Sequence, residues 1–153
     1  MNKGKLLFKL KEFYALEVYQ VDLYTSQAKS VEETHIKRSF ERKAQIEQQH
    51  VDYFFARIKE LGSDVSTISK SAFAAAGFVS GKGVGLMGLD DRYKSGIILE
   101  NEAVSMYHNF IKEANQDPEL EDLTKQLWYF MVDEEQHQFW FKEQLSRFAS
   151  VHV

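Results

Sequence analysis

The sequence of 153 residues contains no cysteine, and this absence excludes several kinds of chemistry. Disulfides, zinc sites built from thiolates, iron–sulfur clusters and thiol catalysis all require a cysteine sulfur. Any metal site in this chain must therefore be built from oxygen and nitrogen ligands.

The chain also lacks an excess of basic charge. Its formal net charge is -4, and residues of both signs are mixed along the sequence without forming a basic stripe. Because a nucleic-acid backbone is bound by such a stripe, nucleic acid is not an expected partner. Lys9, Lys11 and Glu12 interrupt the apolar run near the N-terminus before a signal peptide could form, which predicts a cytoplasmic protein.

Proline is nearly absent as well, since Pro118 is the only one, and β-branched residues do not alternate over any long span. Both features favour an all-α protein. A chain of 153 residues has room for one domain with a sizeable core. The spacing of apolar residues predicts a single domain over 1–153 with four helices, at about 5–29, 32–61, 90–114 and 119–148.

Two of these helices carry an E-x-x-H motif, one at Glu47 and His50 and the other at Glu134 and His137. Residues three apart share a helix face, so each motif can direct a carboxylate and an imidazole to one point. Both motifs fall on the apolar side of their helices, whereas the neighbouring Glu135 falls outside it. The charged residues at 37–43 are typical of a solvated helix face, and no function is assigned to them.

The other two helices each place one glutamate on an apolar face. Glu17 precedes Tyr24 by seven residues, and Glu100 precedes Tyr107 by the same interval. A carboxylate in an apolar stripe is costly unless a cation or hydrogen bonds compensate it. For Glu17 taken alone, a position at the edge of the stripe with access to water is the alternative. Glu102 competes with Glu100, but its face is more polar.

In chain order the four helices offer E, E-x-x-H, E and E-x-x-H, which is the ligand order of carboxylate-bridged two-metal bundles. Four buried carboxylates would repel one another unless two dications neutralised them. The donor set suits iron, with manganese as the alternative. Asp133 could accept a hydrogen bond from the outer nitrogen of His50. The predicted metal ligands are Glu17, Glu47, His50, Glu100, Glu134 and His137.

A segment of different composition separates the second and third predicted helices, over about 64–89. Its part at 72–89 is apolar, has Lys82 as its only charge before Asp90, and contains five of the eight glycines of the chain. It is too short and too rich in glycine for a confident transmembrane helix. It is either a helical crossover packed through small residues or an amphipathic patch that touches a membrane or an apolar substrate.

The ligand order resembles that of the ferritin-like di-iron carboxylate superfamily. The long interval from His50 to Glu100, the glycine-rich segment 76–88 within it, and Glu100 followed by Tyr107 resemble most the demethoxyubiquinone hydroxylase family of quinone biosynthesis. The resemblance covers nearly the whole chain. It implies a ferritin-like four-helix bundle with a long glycine-rich crossover between helices 2 and 3. It also implies a di-iron monooxygenase that hydroxylates a quinone-like ring with dioxygen.

The resemblance carries further expectations. Two electrons would come from a separate reductase, because the chain has no flavin or iron–sulfur motif. Tyr24 and Tyr107 would be candidates for relaying protons or electrons, with simple core packing as the alternative. The segment 72–89 would contact the cytoplasmic face of a membrane and admit an apolar substrate, although Lys82 departs from the uniformly apolar character of the family. A homo-oligomer is compatible with these features.

Two other functions use the same ligand order. A ferroxidase or iron-storage protein of the bacterioferritin type is one, but Gln48 stands where haem-binding members carry methionine, and the glycine-rich crossover is unlike that class. A rubrerythrin-like peroxidase, which would consume peroxide, is the other. Such proteins usually carry a rubredoxin-type cysteine domain, which this chain lacks. A helical scaffold without enzymatic activity is the remaining alternative.

Overall fold

The computed structural model describes residues 1–65 and 87–151, and every regular element within these ranges is helical. The predicted all-α class is therefore confirmed. Most of the glycine-rich segment predicted as a crossover lies outside the described residues. The helices are α1 (Lys3–Lys29), α2 (Thr34–Glu60), α3 (Leu89–Ala114), a short 3₁₀ helix (Pro118–Leu120) and α4 (Glu121–Val151).

Each α-helix begins and ends within three residues of its predicted limits. The start of α4, which follows the 3₁₀ helix, lies two residues later than predicted. The Asp117 side chain accepts a hydrogen bond from the backbone N–H of Glu119 at 3.1 Å, and Pro118 is the first residue of the 3₁₀ helix. Because this capped turn occupies Pro118–Leu120, α4 begins at Glu121 and not at 119 as predicted.

The chain divides into two compact units, Met1–Leu86 and Met87–Val153. In the first unit, α1 and α2 pack side by side. Phe13 stacks on Phe54 with ring centroids 5.3 Å apart, and Tyr24 stacks on Phe40 at 6.3 Å. Since the partners follow opposite orders along the two helices, α1 and α2 are antiparallel.

The second unit pairs α3 with α4 in the same antiparallel way. Tyr93 meets Trp140 edge to face at 5.8 Å, and Tyr107 meets Phe130 at 6.3 Å. At Gly96 the helices approach closely, because a Cβ added there would lie 2.6 Å from the Phe141 ring.

Within residues 1–65 and 87–151, no helix combines the length and apolar character that crossing a membrane would require.

Candidate metal centre

The first unit brings three of the predicted ligands together. Glu17 on α1 and Glu47 on α2 have no solvent exposure, and His50 on α2 is 1% exposed. The Nδ1 atom of His50 lies 3.3 Å from Glu17 Oε2 and 3.1 Å from Glu47 Oε2. One ligand atom from each residue lies within 4.8 Å of the others. Because Glu17 is fully buried, the alternative in which it reaches water is wrong.

Helix periodicity and the register of the hairpin explain this arrangement. Glu47 and His50 are three residues apart on α2 and therefore share its buried face. Glu17 faces His50, and one turn away Phe13 faces Phe54 in the same register. The aromatic stack thus fixes how far α1 is displaced along α2, and so places the carboxylate of Glu17 beside the imidazole.

The second unit repeats the arrangement with the other three predicted ligands. Glu100 on α3 and Glu134 on α4 are fully buried, and His137 is 5% exposed. The Nδ1 atom of His137 lies 3.8 Å from Glu100 Oε1, which is beyond hydrogen-bonding distance. Again one ligand atom from each residue lies within 4.8 Å of the others.

The glutamates that the sequence analysis set aside point elsewhere. Glu135, next to Glu134 on α4, is exposed, and so is Glu102, two residues after Glu100 on α3. A single residue step along a helix turns the side chain by about 100°, which explains why adjacent carboxylates have opposite environments. Burial therefore separates the predicted ligands from their nearest competitors.

The two ligand triads follow one numerical pattern. Counted from Glu17 or from Glu100, a buried tyrosine lies seven residues later, at Tyr24 or Tyr107. In both units the ligand glutamate faces the ligand histidine. The residue four positions before that glutamate likewise faces the residue four positions after that histidine. We call Glu17, Glu47 and His50 the first triad, and Glu100, Glu134 and His137 the second triad.

The two tyrosines and Asp133 have different surroundings. Tyr24 and Tyr107 are fully buried, and their rings contact Phe40 and Phe130, respectively. Asp133 is half-buried on α4 directly before Glu134. Its predicted hydrogen bond to His50 stays a prediction.

Lys43 is the residue near a triad that the sequence analysis missed. The composition of 37–43 predicts a solvated face, and the charged residues at 37, 38, 41 and 42 are indeed exposed, but Lys43 is only 4% exposed. Burial lowers the pKa of Lys43 to about 7, and the nearby charge of Glu47 partly opposes this change by raising it. The signal was available, because Lys43 lies one turn before Glu47 and shares its helix face.

The donor chemistry of each triad fits a divalent metal ion. Two carboxylates and one imidazole are oxygen and nitrogen ligands of the kind that iron and manganese prefer. Carboxylates with no solvent exposure are costly unless cations neutralise them, and a bound dication would do so. The residues present therefore suit one divalent ion per triad.

Comparisons with known proteins identify the fold and the family of this chain. Bacterioferritin from Desulfovibrio desulfuricans, whose X-ray structure describes a diiron site in different catalytic states, has a similar structure. Its TM-score is 0.80 at 20% sequence identity, over 97% of this chain and 82% of that one. This similarity confirms the predicted ferritin-like four-helix fold. The chain matches none of the curated proteins by sequence.

A protein family matches most of the sequence. Residues 12–150 match the family described as ubiquinone biosynthesis protein COQ7, which confirms the resemblance found in the ligand order and the glycine-rich interval. Since the match extends over nearly the entire chain, the protein belongs to the COQ7 family of ubiquinone biosynthesis proteins.

Proposed function

We propose that this protein is a di-iron hydroxylase that uses dioxygen to hydroxylate a quinone-like ring. The observation that carries the proposal is the pair of buried Glu, Glu and His triads, repeated with one spacing in a chain of the COQ7 family. On this proposal the first and second triads together supply the six ligands of one two-metal centre.

Charge balance supports two divalent ions. The triads contain four carboxylates with no solvent exposure, at Glu17, Glu47, Glu100 and Glu134. Two dications would balance these four negative charges, while one would leave two of them uncompensated. Bacterioferritin, which has a similar fold, is described with a diiron site, and this also favours iron over manganese.

The protein would contribute ligand geometry and a dry environment. Bound iron would supply the reduction of dioxygen that ring hydroxylation requires. Because hydroxylation also consumes two electrons and two protons and releases water, a separate reductase would be a partner. His50 and His137 would bind metal as neutral imidazoles, each through the Nδ1 atom that lies nearest the glutamates of its triad.

Tyr24 and Tyr107 are proposed to carry protons or electrons, since each is buried two helical turns from a ligand glutamate. Replacing either with phenylalanine removes only the hydroxyl and keeps the ring packing. We expect Tyr24→Phe and Tyr107→Phe to retain two irons per chain but to lower turnover by about 10-fold or more. Metal analysis with steady-state turnover checks this. Unchanged turnover in both variants would assign the tyrosines to core packing alone.

The main test of the function is anaerobic loading with ferrous iron followed by exposure to dioxygen. The expected results are about two irons per chain, an iron-dependent optical change, and hydroxylation of a quinone-like substrate when a reductant is present. Metal-free protein treated with a chelator is the control. Iron well below one per chain with no metal-dependent optical change would contradict the proposal.

A ferroxidase or iron-storage role is the second candidate, favoured by the structural similarity to a bacterioferritin. It predicts a large cage and uptake of many irons per chain, so size-exclusion chromatography separates it from the hydroxylase.

A peroxidase of the rubrerythrin type would turn over with hydrogen peroxide and need no quinone. Comparing peroxide with dioxygen plus quinone as substrates therefore separates the third candidate.

The predicted contact of 72–89 with the cytoplasmic face of a membrane remains part of the proposal. The segment lies outside the described residues apart from 87–89. Its support is the apolar, glycine-rich composition together with the apolar character of a quinone-like substrate.

A further inference from the structure

Lys43 is an unusual residue to find beside a ligand triad. Its side chain is buried on α2 one turn before Glu47, and its Nζ atom lies 6.0 Å from the centre of the Phe40 ring. An ammonium group loses its hydration when it is buried, and an aromatic face replaces only part of that interaction. Burial therefore makes the charged form of Lys43 costly, in agreement with the lowering of its pKa to about 7.

The second unit shows that helix packing does not require a polar residue there. In α4, the position one turn before Glu134 is occupied by the buried Phe130. At two further positions the first unit is again the more polar one, because buried glutamines of α1 correspond to buried apolar residues of α3. Counted from the matching ligands, the pairs are Lys43 and Phe130, Gln20 and Ala103, and Gln27 and Phe110.

The matched positions are buried in both units, but the first unit has polar side chains there and the second has apolar ones. Both triads offer the same donors, but only the first has a lysine in this position of its own unit. Lys43 and Glu47 are buried on the same face of α2, one helical turn apart, so the ammonium and the carboxylate are close enough to interact through a poorly screened Coulomb attraction. A cation held near a metal position repels a dication and competes with it for the carboxylate.

We propose that Lys43 makes the two metal positions unequal, so that the first triad binds its divalent ion more weakly than the second. This inference rests on the proposed two-metal centre. When the first triad holds no metal, the ammonium offsets part of the charge of its buried carboxylates. When metal enters, the same ammonium opposes it, so the second triad fills first.

The test is an anaerobic titration with Co²⁺ alone, carried out about one pH unit below the pKa of about 7 at which Lys43 loses its charge, and followed by visible absorption and calorimetry. Lys43→Met removes the charge, Lys43→Arg keeps it, and Phe130→Met is the matched control at the corresponding position of the second unit. We expect wild type to bind two ions in two steps. Lys43→Met should tighten the weaker step by about 10-fold, whereas Lys43→Arg and Phe130→Met should each change it by less than about 3-fold.

Removing one imidazole at a time locates the weaker step. His50→Ala should abolish the weaker step, and His137→Ala should abolish the tighter one. The reverse assignment would overturn the inference, as would a weaker step that Lys43→Met leaves unchanged while two ions still bind. If no variant and no wild-type sample binds Co²⁺, the two-metal centre itself is wrong. Lys43→Gln, which is also neutral, replaces Lys43→Met if circular dichroism shows that the latter is unfolded.

Discussion

Glu134→Ala is expected to lower the bound iron from about two ions per chain to less than one, whereas Glu135→Ala keeps both. The two residues are adjacent on α4, but Glu134 is fully buried and Glu135 is exposed. Of these two residues, Glu134 is the one with an oxygen within 4.8 Å of ligand atoms from Glu100 and His137. Metal analysis after anaerobic loading and desalting measures the difference directly.

The hydroxylase activity of the two variants should fall or persist together with their bound iron. Loss of residues that merely support a ligand typically lowers metal affinity or activity by about 10–100-fold, so loss of a ligand should exceed about 100-fold. Glu135→Ala should remain within about 2-fold of wild type, because changes at exposed sites away from a site are usually small. Equal iron content and activity in the two variants would contradict the assignment of Glu134 as a ligand.

In the absence of metal, the Glu134→Ala variant should be at least as stable as wild type. In the chelated protein, Glu134 is one of the fully buried carboxylates, and removing it relieves repulsion and desolvation. We therefore expect chelated Glu134→Ala to melt at or above the temperature of chelated wild type, and loaded wild type to melt above both. A lower melting temperature for the chelated variant would indicate that Glu134 mainly supports the fold.

Gly96→Ala should destabilise the protein by about 2 kcal/mol, because the added methyl group overlaps a buried ring. A Cβ at this position would lie 2.6–2.7 Å from three atoms of Phe141. The Phe141 ring has no solvent exposure and also packs against Tyr93 and Trp140, so it has little room to move. For a chain of this size the loss corresponds to a fall in melting temperature of about 4–8 °C.

Gly4→Ala is the matched control, since Gly4 also lies in a helix. A Cβ there would meet only the Asn2 side chain, at an ordinary 3.6 Å. Alanine has the higher helix propensity, so Gly4→Ala should leave stability unchanged or raise it by up to about 1 kcal/mol. Thermal melts followed by circular dichroism compare the pair. A Gly96→Ala protein as stable as Gly4→Ala would show that Phe141 can move aside.

Gly96→Ala should also weaken the second triad. Gly96 lies one turn before Glu100, and Phe141 lies one turn after His137, so the close contact borders the pair that faces across the hairpin. In the first unit the corresponding positions are Phe13 and Phe54, whose rings stack. Separating α3 from α4 at this point would increase the distance between Glu100 and His137. Metal affinity should consequently fall more than in Gly4→Ala.

The helices and the buried faces could be predicted because they depend on periodicity alone. Glu47 and His50 fall on the apolar stripe of α2, and an apolar stripe is buried in any packed arrangement of helices. The opposite environments of Glu134 and Glu135 follow from the same reasoning. Sequence could not reveal the close approach at Gly96, because that contact depends on the displacement between two helices.

Lys43 was misassigned for a different reason. Four of its charged neighbours in 37–42 are exposed. The composition of the whole run therefore predicts a solvated face for Lys43 too. Helix periodicity alone predicts that Lys43 is buried, since it shares a face with Phe40 and Glu47. Gln20 and Gln27 on α1 are buried as well, and the sequence analysis makes no prediction for them.

Each triad is complete within one helical hairpin, and this has a consequence for biosynthesis. Glu17 and His50 are 33 residues apart, and all three residues of the first triad lie on α1 and α2. Contacts between neighbouring helices form quickly, and chains fold from the N-terminus during synthesis. The first triad should thus be assembled while the ribosome is still translating α3. The nascent chain would then carry two buried carboxylates for which Lys43 is already present as a counter-ion before any metal is available.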